Sequence, residues 1–203
     1  GPFAESSRIP GDTREAVERI HGIAAAGSIT YQAVDVESGG RLLRLQIIGY
    51  EPGQPGEPRG LIAGRPVARS HFEIVADRAT KLTLGDTLML GRNRFTVTGL
   101  TAGHVTSGGD PVAYISLLDS QNLQSELAPP ASRVERARGG GVQNANTVNA
   151  VVARLAPNVR AEQVAQTVRR WKHLNAITAA EQELILTGSV VQRARQQIGL
   201  FTS

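Results

Sequence analysis

The chain has 203 residues and no cysteine, so it is long enough to bury a hydrophobic core and cannot form a disulfide. Hydrophobic residues make up 40% of it and charged residues 20%, as in ordinary soluble globular proteins, and no apolar run approaches the about 20 residues of a membrane helix. The net charge of +4 fits a solvated, arginine-rich surface and does not by itself indicate a nucleic-acid partner.

The first part of the chain, residues 3–48, predicts a β-α-β-β segment. A short extended lead precedes a capping box, in which Asp12 accepts a hydrogen bond from the Glu15 amide and the Glu15 carboxylate reaches back. Strand-like runs at 28–36 and 41–48 flank a Ser-Gly-Gly turn. This arrangement predicts a β-hairpin.

The middle of the chain changes in composition. Residues 49–60 hold three prolines and four glycines, which predicts a long loop at a boundary between subdomains. In residues 61–118, short β-rich runs alternate with glycine-containing turns, and this spacing predicts a compact antiparallel β module. Phe95 and Val97 alternate with threonines, so their strand is expected to bury one face.

Residues 115–124 are predicted to form a strand that leads into a short helix. Residues 125–146 follow, with two adjacent prolines, three consecutive glycines and a polar run. Such a composition is typical of a mobile loop, and a single Arg-Gly-Gly-Gly sequence is weak evidence for RNA binding.

The closing segment predicts the order β-α-β. Residues 147–155 form an apolar run that is expected to be a buried strand. In the helix that follows, Val164, Val168 and Trp171 share one face, so Trp171 is expected in the core. Residues 175–186 are again strand-like.

The two ends of the chain suggest a domain taken from a longer protein. Gly1-Pro2 is typical of the remnant that a site-specific protease leaves, and we exclude it from the fold. Residues 189–203 predict a helix with only a narrow apolar stripe, which fits a stalk leading to a membrane segment outside this sequence.

No catalytic, cofactor-binding or metal-ligating constellation can be assembled from the sequence. Asp77, Asp86 and Asp110 stand in turns, where aspartate serves the backbone. The histidines are scattered, without a partner at ligand spacing, at His21, His71, His104 and His173. We therefore expect no enzyme activity, no metal and no cofactor in this domain.

Five short motifs stand in a fixed order: GYEP at 49–52, LIAGR at 61–65, FEIVAD at 72–77, LGDTL at 84–88 and FTVTGL at 95–100. In this series the chain resembles the extracytoplasmic domain of MacB-like ABC transporter permeases, a superfamily that includes the DevC, LolC/LolE and FtsX types. The GYEP step favours the DevC/MacB branch.

The resemblance implies an α+β fold in two lobes. Residues 3–48 and 147–188 would form a mixed α/β, porter-like lobe, and residues 49–146 an inserted β-rich, sabre-like lobe. We expect the two terminal segments to share one sheet and residues 61–118 to lie in a separate lobe.

The resemblance also implies a function, namely an extracytoplasmic coupling and partner-docking domain of an export-type ABC permease. The full-length protein would lie in the bacterial inner membrane as a dimer, with this domain on the periplasmic side. A separate cytoplasmic ATPase would use ATP, and the domain would pass the movement of the membrane helices to a membrane-fusion adaptor or a lipoprotein-type cargo.

A stand-alone ligand-binding module and a nucleic-acid-binding β module are the alternatives. β domains that bind single strands stack the bases on aromatic side chains, and aromatic residues are only 4% of this chain. We therefore expect at most weak, sequence-independent DNA binding that is lost at physiological salt.

Overall fold

The computed structural model describes residues 8–69, 71–129, 147–171, 174–180 and 182–188. In these residues, ten strands form one mixed sheet and two short strands form a second. The strands are β1 (Ile9–Pro10), β2 (Ile23–Ser38), β3 (Arg41–Tyr50), β4 (Ala63–Gly64), β5 (Glu73–Asp77), β6 (Thr87–Leu90), β7 (Asn93–Thr101), β8 (Val112–Ser116), β9 (Thr147–Val148), β10 (Ala150–Leu155), β11 (Leu174–Ala180) and β12 (Glu183–Gly188). The α-helices are α1 (Thr13–Glu18), α2 (Leu117–Leu127) and α3 (Ala161–Arg169).

The β2–β3 hairpin is the longest antiparallel pair of the sheet. Its ten registered pairs run from Ile29 opposite Tyr50 to Ser38 opposite Arg41. The turn has two glycines with positive φ, Gly39 at 56° and Gly40 at 76°, which side chains with a Cβ rarely adopt. The predicted hairpin is thus confirmed, although β2 begins earlier, at Ile23.

The terminal segments of the chain share one sheet, as predicted. β10 pairs with β2 and β12 pairs with β10, all antiparallel. The prediction of one strand over 175–186 is wrong, because the chain turns at Gln182 and makes the antiparallel hairpin β11–β12. The periodicity of an apolar run does not show where a turn without glycine or proline divides it.

The central strands continue the same sheet rather than forming one of their own. The order is β11-β12-β10-β2-β3-β8-β5-β7-β4, with β6 paired to β7, and β8 lies parallel to β3. The central strands therefore do not form a sheet of their own. The prediction of an antiparallel module is wrong for one pair, because β5 lies parallel to β7. All five residues of β5 and of β8 are buried, as in strands covered on both faces.

The α+β fold class is confirmed, and the structure has separate clusters of buried hydrophobic residues. One cluster joins α1, α3 and the terminal strands, and includes Val17 and Leu186. A second joins the far part of the β2–β3 hairpin with β5 to β8, and includes Phe95. Phe95 and Val97 are buried and Thr96 is exposed, which confirms the predicted alternation. The division into two lobes at residues 48 and 147 remains a prediction.

Three further expectations concern residues 12–15, 125–146 and 189–203. The capping box is not formed, because Asp12 has near-helical dihedrals (φ −84°, ψ −1°) and its side chain makes no capping bond. Residues 125–127, expected in a mobile loop, are the last turn of α2, whereas residues 130–146 lie outside the described part. The stalk at 189–203 also lies outside it. Within the described residues, no helix has the length and apolar character needed to cross a membrane.

Candidate coupling site

Helix α2 follows β8 directly and buries a polar face. Ser116 caps it, since its Oγ accepts a hydrogen bond from the Asp119 amide at 3.1 Å. The buried residues of the helix are Asp119, Ser120 and Leu123, of which only Leu123 is apolar. The buried face of the helix is therefore largely polar, and the partners of its hydrogen bonds show which parts of the fold it joins.

The first partner is the β2–β3 hairpin. The hydroxyls of Ser120 and Thr30 share a hydrogen bond, and both residues are fully buried. Gly49, which lies opposite Thr30 in the hairpin, makes this approach possible. A Cβ built on Gly49 would lie 2.2 Å from the Ser120 Cβ and 2.4 Å from the Thr30 Oγ1, which is far inside van der Waals contact. The glycine of the GYEP motif is thus where the helix meets the sheet.

The second partner is the junction of β9 and β10. The side chain of Asn149 accepts hydrogen bonds through Oδ1 from the Tyr31 amide at 2.9 Å and from the Gln124 Nε2 at 3.0 Å. The Asn149 amide donates to the Ile29 carbonyl at 2.9 Å. One buried asparagine therefore joins α2, β2 and the start of the closing segment.

The third partner is the turn between β6 and β7. The Glu126 carboxylate accepts hydrogen bonds from the Arg92 amide at 3.0 Å and from the Asn93 Nδ2 at 3.4 Å. Gly91 lies against the same carboxylate, since a Cβ there would come within 2.0 Å of the Glu126 Oε2. The last turn of α2 therefore fixes the tip of the β6–β7 hairpin.

The fourth partner is the loop before β5. The Asp119 Oδ1 lies 2.7 Å from the His71 Nδ1, and the Asp119 side chain is only 1% exposed. Its other oxygen, Oδ2, is buried and has no hydrogen-bond partner among the described residues. Burial raises the pKa of Asp119, and the bond to His71 acts against this rise. This aspartate was not singled out from the sequence, because nothing local distinguishes it from an ordinary helix-start carboxylate.

The other residues of the GYEP motif hold neighbouring segments in place. The buried Tyr50 hydroxyl accepts a hydrogen bond from the Val67 amide at 3.1 Å, and burial raises the pKa of Tyr50 to about 12. The Glu51 Oε1 accepts from the Ser28 amide at 2.9 Å and lies 3.4 Å from the Arg14 Nε. Two adjacent residues of the motif thus contact the loop after β4, the strand β2 and the helix α1.

The LIAGR and FEIVAD motifs meet in one ion pair. Glu73 accepts from the Arg65 Nη1 at 3.0 Å, the Ala68 amide at 2.9 Å and the Arg69 amide at 3.1 Å. The bond from Arg65 is the largest cause that lowers the pKa of Glu73 to about 2, and the two amides add to it. These two motifs are therefore joined in the structure, because Glu73 holds the 65–69 loop against β5.

The predicted roles of two aspartates in turns are confirmed. The Asp77 carboxylate accepts from the Ala79 amide at 3.0 Å and from the His104 amide at 2.7 Å, and Asp86 accepts from the Thr83 amide at 2.9 Å. Within the described residues, no group of three or more His, Cys, Asp or Glu side chains could hold a metal ion. His104 instead contacts the Tyr114 hydroxyl through Nδ1 at 2.7 Å.

An open groove lies at the start of α2. Its volume is about 530 Å³, and both apolar and polar side chains line it. Leu118, which is 47% exposed, is one of the side chains that line it. The lining residues are Glu51, Pro52, Gln54, Ala68, Ser116, Leu117, Leu118 and Gln121. The groove thus lies where the GYEP segment, the loop before β5 and α2 meet.

This chain resembles known proteins in both sequence and fold. The family model described as the MacB-like periplasmic core domain matches residues 3–171. The periplasmic region of MacB from Actinobacillus actinomycetemcomitans has a similar fold, with a TM-score of 0.54 and 11% identity over 93% of this chain and 83% of that one. The extracellular domain of the noncanonic ABC-type transporter YknZ from Gram-positive bacteria has the same TM-score and identity, over 81% of this chain and 82% of that one. No curated protein matches the chain.

Proposed function

We propose, since this chain belongs to the family of MacB-like periplasmic core domains, that it couples movement of the membrane helices of an export-type ABC permease to a partner outside the membrane. The chain is a non-catalytic periplasmic or extracellular domain of an ABC transporter, and an ATPase partner follows from that membership.

The observation that carries the coupling proposal is the set of contacts made by α2. This one helix is hydrogen-bonded to the hairpin at Thr30, to the closing segment at Asn149 and to the β6–β7 turn through Glu126. Buried hydrogen bonds are directional, so these contacts fix the orientation of the joined segments as well as their distance. A lever needs such rigidity between the end that is pushed and the end that acts.

Loosening α2 should therefore separate ATP hydrolysis from transport. Asn149→Ala removes the buried oxygen that accepts hydrogen bonds from the Tyr31 amide and the Gln124 side chain. In the full-length permease with its ATPase, we expect this variant to keep most of its ATP hydrolysis and to lose most of its transport. Thr96→Ala, an exposed change on β7, is the control and should alter neither. Transport that stays tightly coupled in a folded Asn149→Ala permease would refute the proposal.

The docking proposal places the partner at the groove beside α2. The groove is open and partly apolar, and the half-exposed Leu118 gives it apolar surface that a bound partner would bury. We propose that the partner is a membrane-fusion adaptor or a lipoprotein-type cargo.

Site-specific photocrosslinking tests this surface with a closely matched control. Leu118 and Met89 are 47% and 48% exposed, so a photoreactive residue at either site is about equally available. We expect a crosslink to a periplasmic partner from position 118 and none from position 89, which lies on the outer face of β6. Equal crosslinking from the two positions would contradict docking at the groove.

A further inference from the structure

Residues 51–60, which connect β3 to β4, lie across one face of the terminal strands. Gly27 of β2 makes this crossing possible, because a Cβ there would lie 2.1 Å from the Pro55 carbonyl oxygen. Gly56 is equally close to β2, since its own Cβ would lie 2.6 Å from the Ile29 Cγ2. Both distances are far inside van der Waals contact, so only glycine allows the two backbones to approach in this way. We call residues 51–60 the strap.

The strap covers the face of the terminal strands that lies opposite the helices. Val151 of β10 and Leu186 of β12 pack with α1 and α3 in one buried cluster. Side chains alternate between the two faces of a strand, so the neighbouring Val152 and Ile185 point to the other face. There they form a different buried cluster with Ile29. The strap lies on this second face, beside Ile29 and Val152, and so shields it from water.

The two ends of the strap contact different parts of the molecule. At its start, the Glu51 Oε1 accepts a hydrogen bond from the Ser28 amide at 2.9 Å, and Glu51 and Gln54 are among the residues that line the groove at α2. Near its end, Arg59 forms an ion pair with Glu183, the first residue of β12. The Arg59 side chain is 62% exposed, so this pair is weak and opens readily. The strap therefore runs from a wall of the groove to β12.

We propose that the strap couples the groove to β12, so that a partner in the groove holds β12 in place and displacement of β12 weakens the groove. This inference rests on the proposed docking at the groove. A partner that packs on Pro52 and Gln54 makes contacts that exist only while the strap is seated, and a ligand shifts an equilibrium towards the form it binds. Such coupling is reciprocal. Because β12 directly precedes residues 189–203, the predicted stalk, its displacement would release the partner.

Amide hydrogen exchange of the 203-residue chain tests whether the strap opens as one unit. Arg59→Gln removes the ion pair with β12, and Arg44→Gln is the matched control, because the Arg44 side chain is 59% exposed and also ion-paired. The amides of Ser28 and Gln54 both donate to Glu51, at the other end of the strap. We expect Arg59→Gln to speed their exchange about two- to fivefold, as for the loss of an exposed ion pair. Arg44→Gln should leave their exchange unchanged.

A dye in the groove tests the link to the docking surface. The chain has no cysteine, so acrylodan on Leu118→Cys labels a single site. Adding Arg59→Gln should move its emission to longer wavelength, since a loosened wall admits water, and should not affect acrylodan on Met89→Cys. Glu183→Gln should act as Arg59→Gln does, and the two together should do no more than either.

Unchanged exchange or unchanged emission in Arg59→Gln would overturn the coupling through the strap. Equal effects of Arg44→Gln, or additive effects of Arg59→Gln and Glu183→Gln, would also overturn it. Docking itself is tested separately, by photocrosslinking from Leu118 in the full-length permease, so the coupling can fail while docking at the groove stands.

Discussion

Replacing Gly49 by alanine tests whether α2 is docked as closely as the structure shows. The new Cβ would lie 2.2 Å from the Ser120 Cβ and 2.4 Å from the Thr30 Oγ1. Carbon atoms pack at about 3.5–4 Å, so the helix must withdraw by more than about 1 Å. Such a shift breaks or lengthens the buried Ser120–Thr30 hydrogen bond as well as straining the core. Overpacking costs about 1–3 kcal/mol and a lost buried bond about 1 kcal/mol, so we expect a loss near 3 kcal/mol.

Urea unfolding followed by the fluorescence of the single tryptophan, Trp171, measures this loss. A matched control is Gly108→Ala, since the nearest atom to a Cβ there is the Thr106 Oγ1 at 3.8 Å, and it should change stability by less than about 0.5 kcal/mol. Adding Ser120→Gly to Gly49→Ala removes the clashing Cβ and should restore part of the loss, as a double-mutant cycle would show. If Gly49→Ala is as mild as the control, the close docking of α2 is refuted.

Three further substitutions should change the stability of the domain in a defined direction. Glu73 has its pKa lowered to about 2 from 4.5, so the stability it contributes is present above about pH 4.5 and is lost as the pH falls towards 2; urea midpoints of Glu73→Gln at pH 5, 4 and 3 should therefore vary less than those of the parent chain. Folding raises the pKa of Asp119, so its contribution to stability falls as the pH rises above its unfolded pKa of 3.8. In the same urea series, Asp119→Asn should therefore remove a pH dependence of stability that is opposite in sign to that of Glu73. Tyr50→Phe leaves the buried Val67 amide without its acceptor and should lower the free energy of unfolding by about 1–3 kcal/mol in urea; a neutral result would mean that the loop re-forms this bond elsewhere.

Local patterns in the sequence predict the local structure well. The Gly39-Gly40 turn, the alternation around Phe95, the step from β8 into α2 and the apolar face of α3 all depend on neighbours within a few residues. Such features follow from turn chemistry and periodicity. The capping box at Asp12 is the local exception. Its residues fit the pattern, but the backbone of Asp12 is already near-helical, and Arg14 lies by Glu18 and Glu51.

Strand partners could not be predicted in the same way. A buried run such as β5 or β8 shows that both faces are covered, but not which strand lies beside it or in which direction. The parallel pairing of β8 with β3, which makes the sheet continuous, joins residues more than sixty positions apart in the chain. The role of Gly49 was hidden for the same reason, because the side chain that excludes a Cβ there belongs to Ser120.

The polar face of α2 bears on how the domain could serve as a lever. An apolar helix tolerates small shifts, because hydrophobic contact has no preferred direction. The hydroxyl of Ser120 and the amide of Gln124 instead have one fixed partner each, Thr30 and Asn149, so a shift of α2 loses these bonds and leaves buried polar groups unsatisfied. Movement at one end of the sheet should therefore reach the β6–β7 turn through Glu126 without being absorbed in the helix. Under the coupling proposal, a helix held in this way would transmit displacement as a unit until the force breaks these hydrogen bonds.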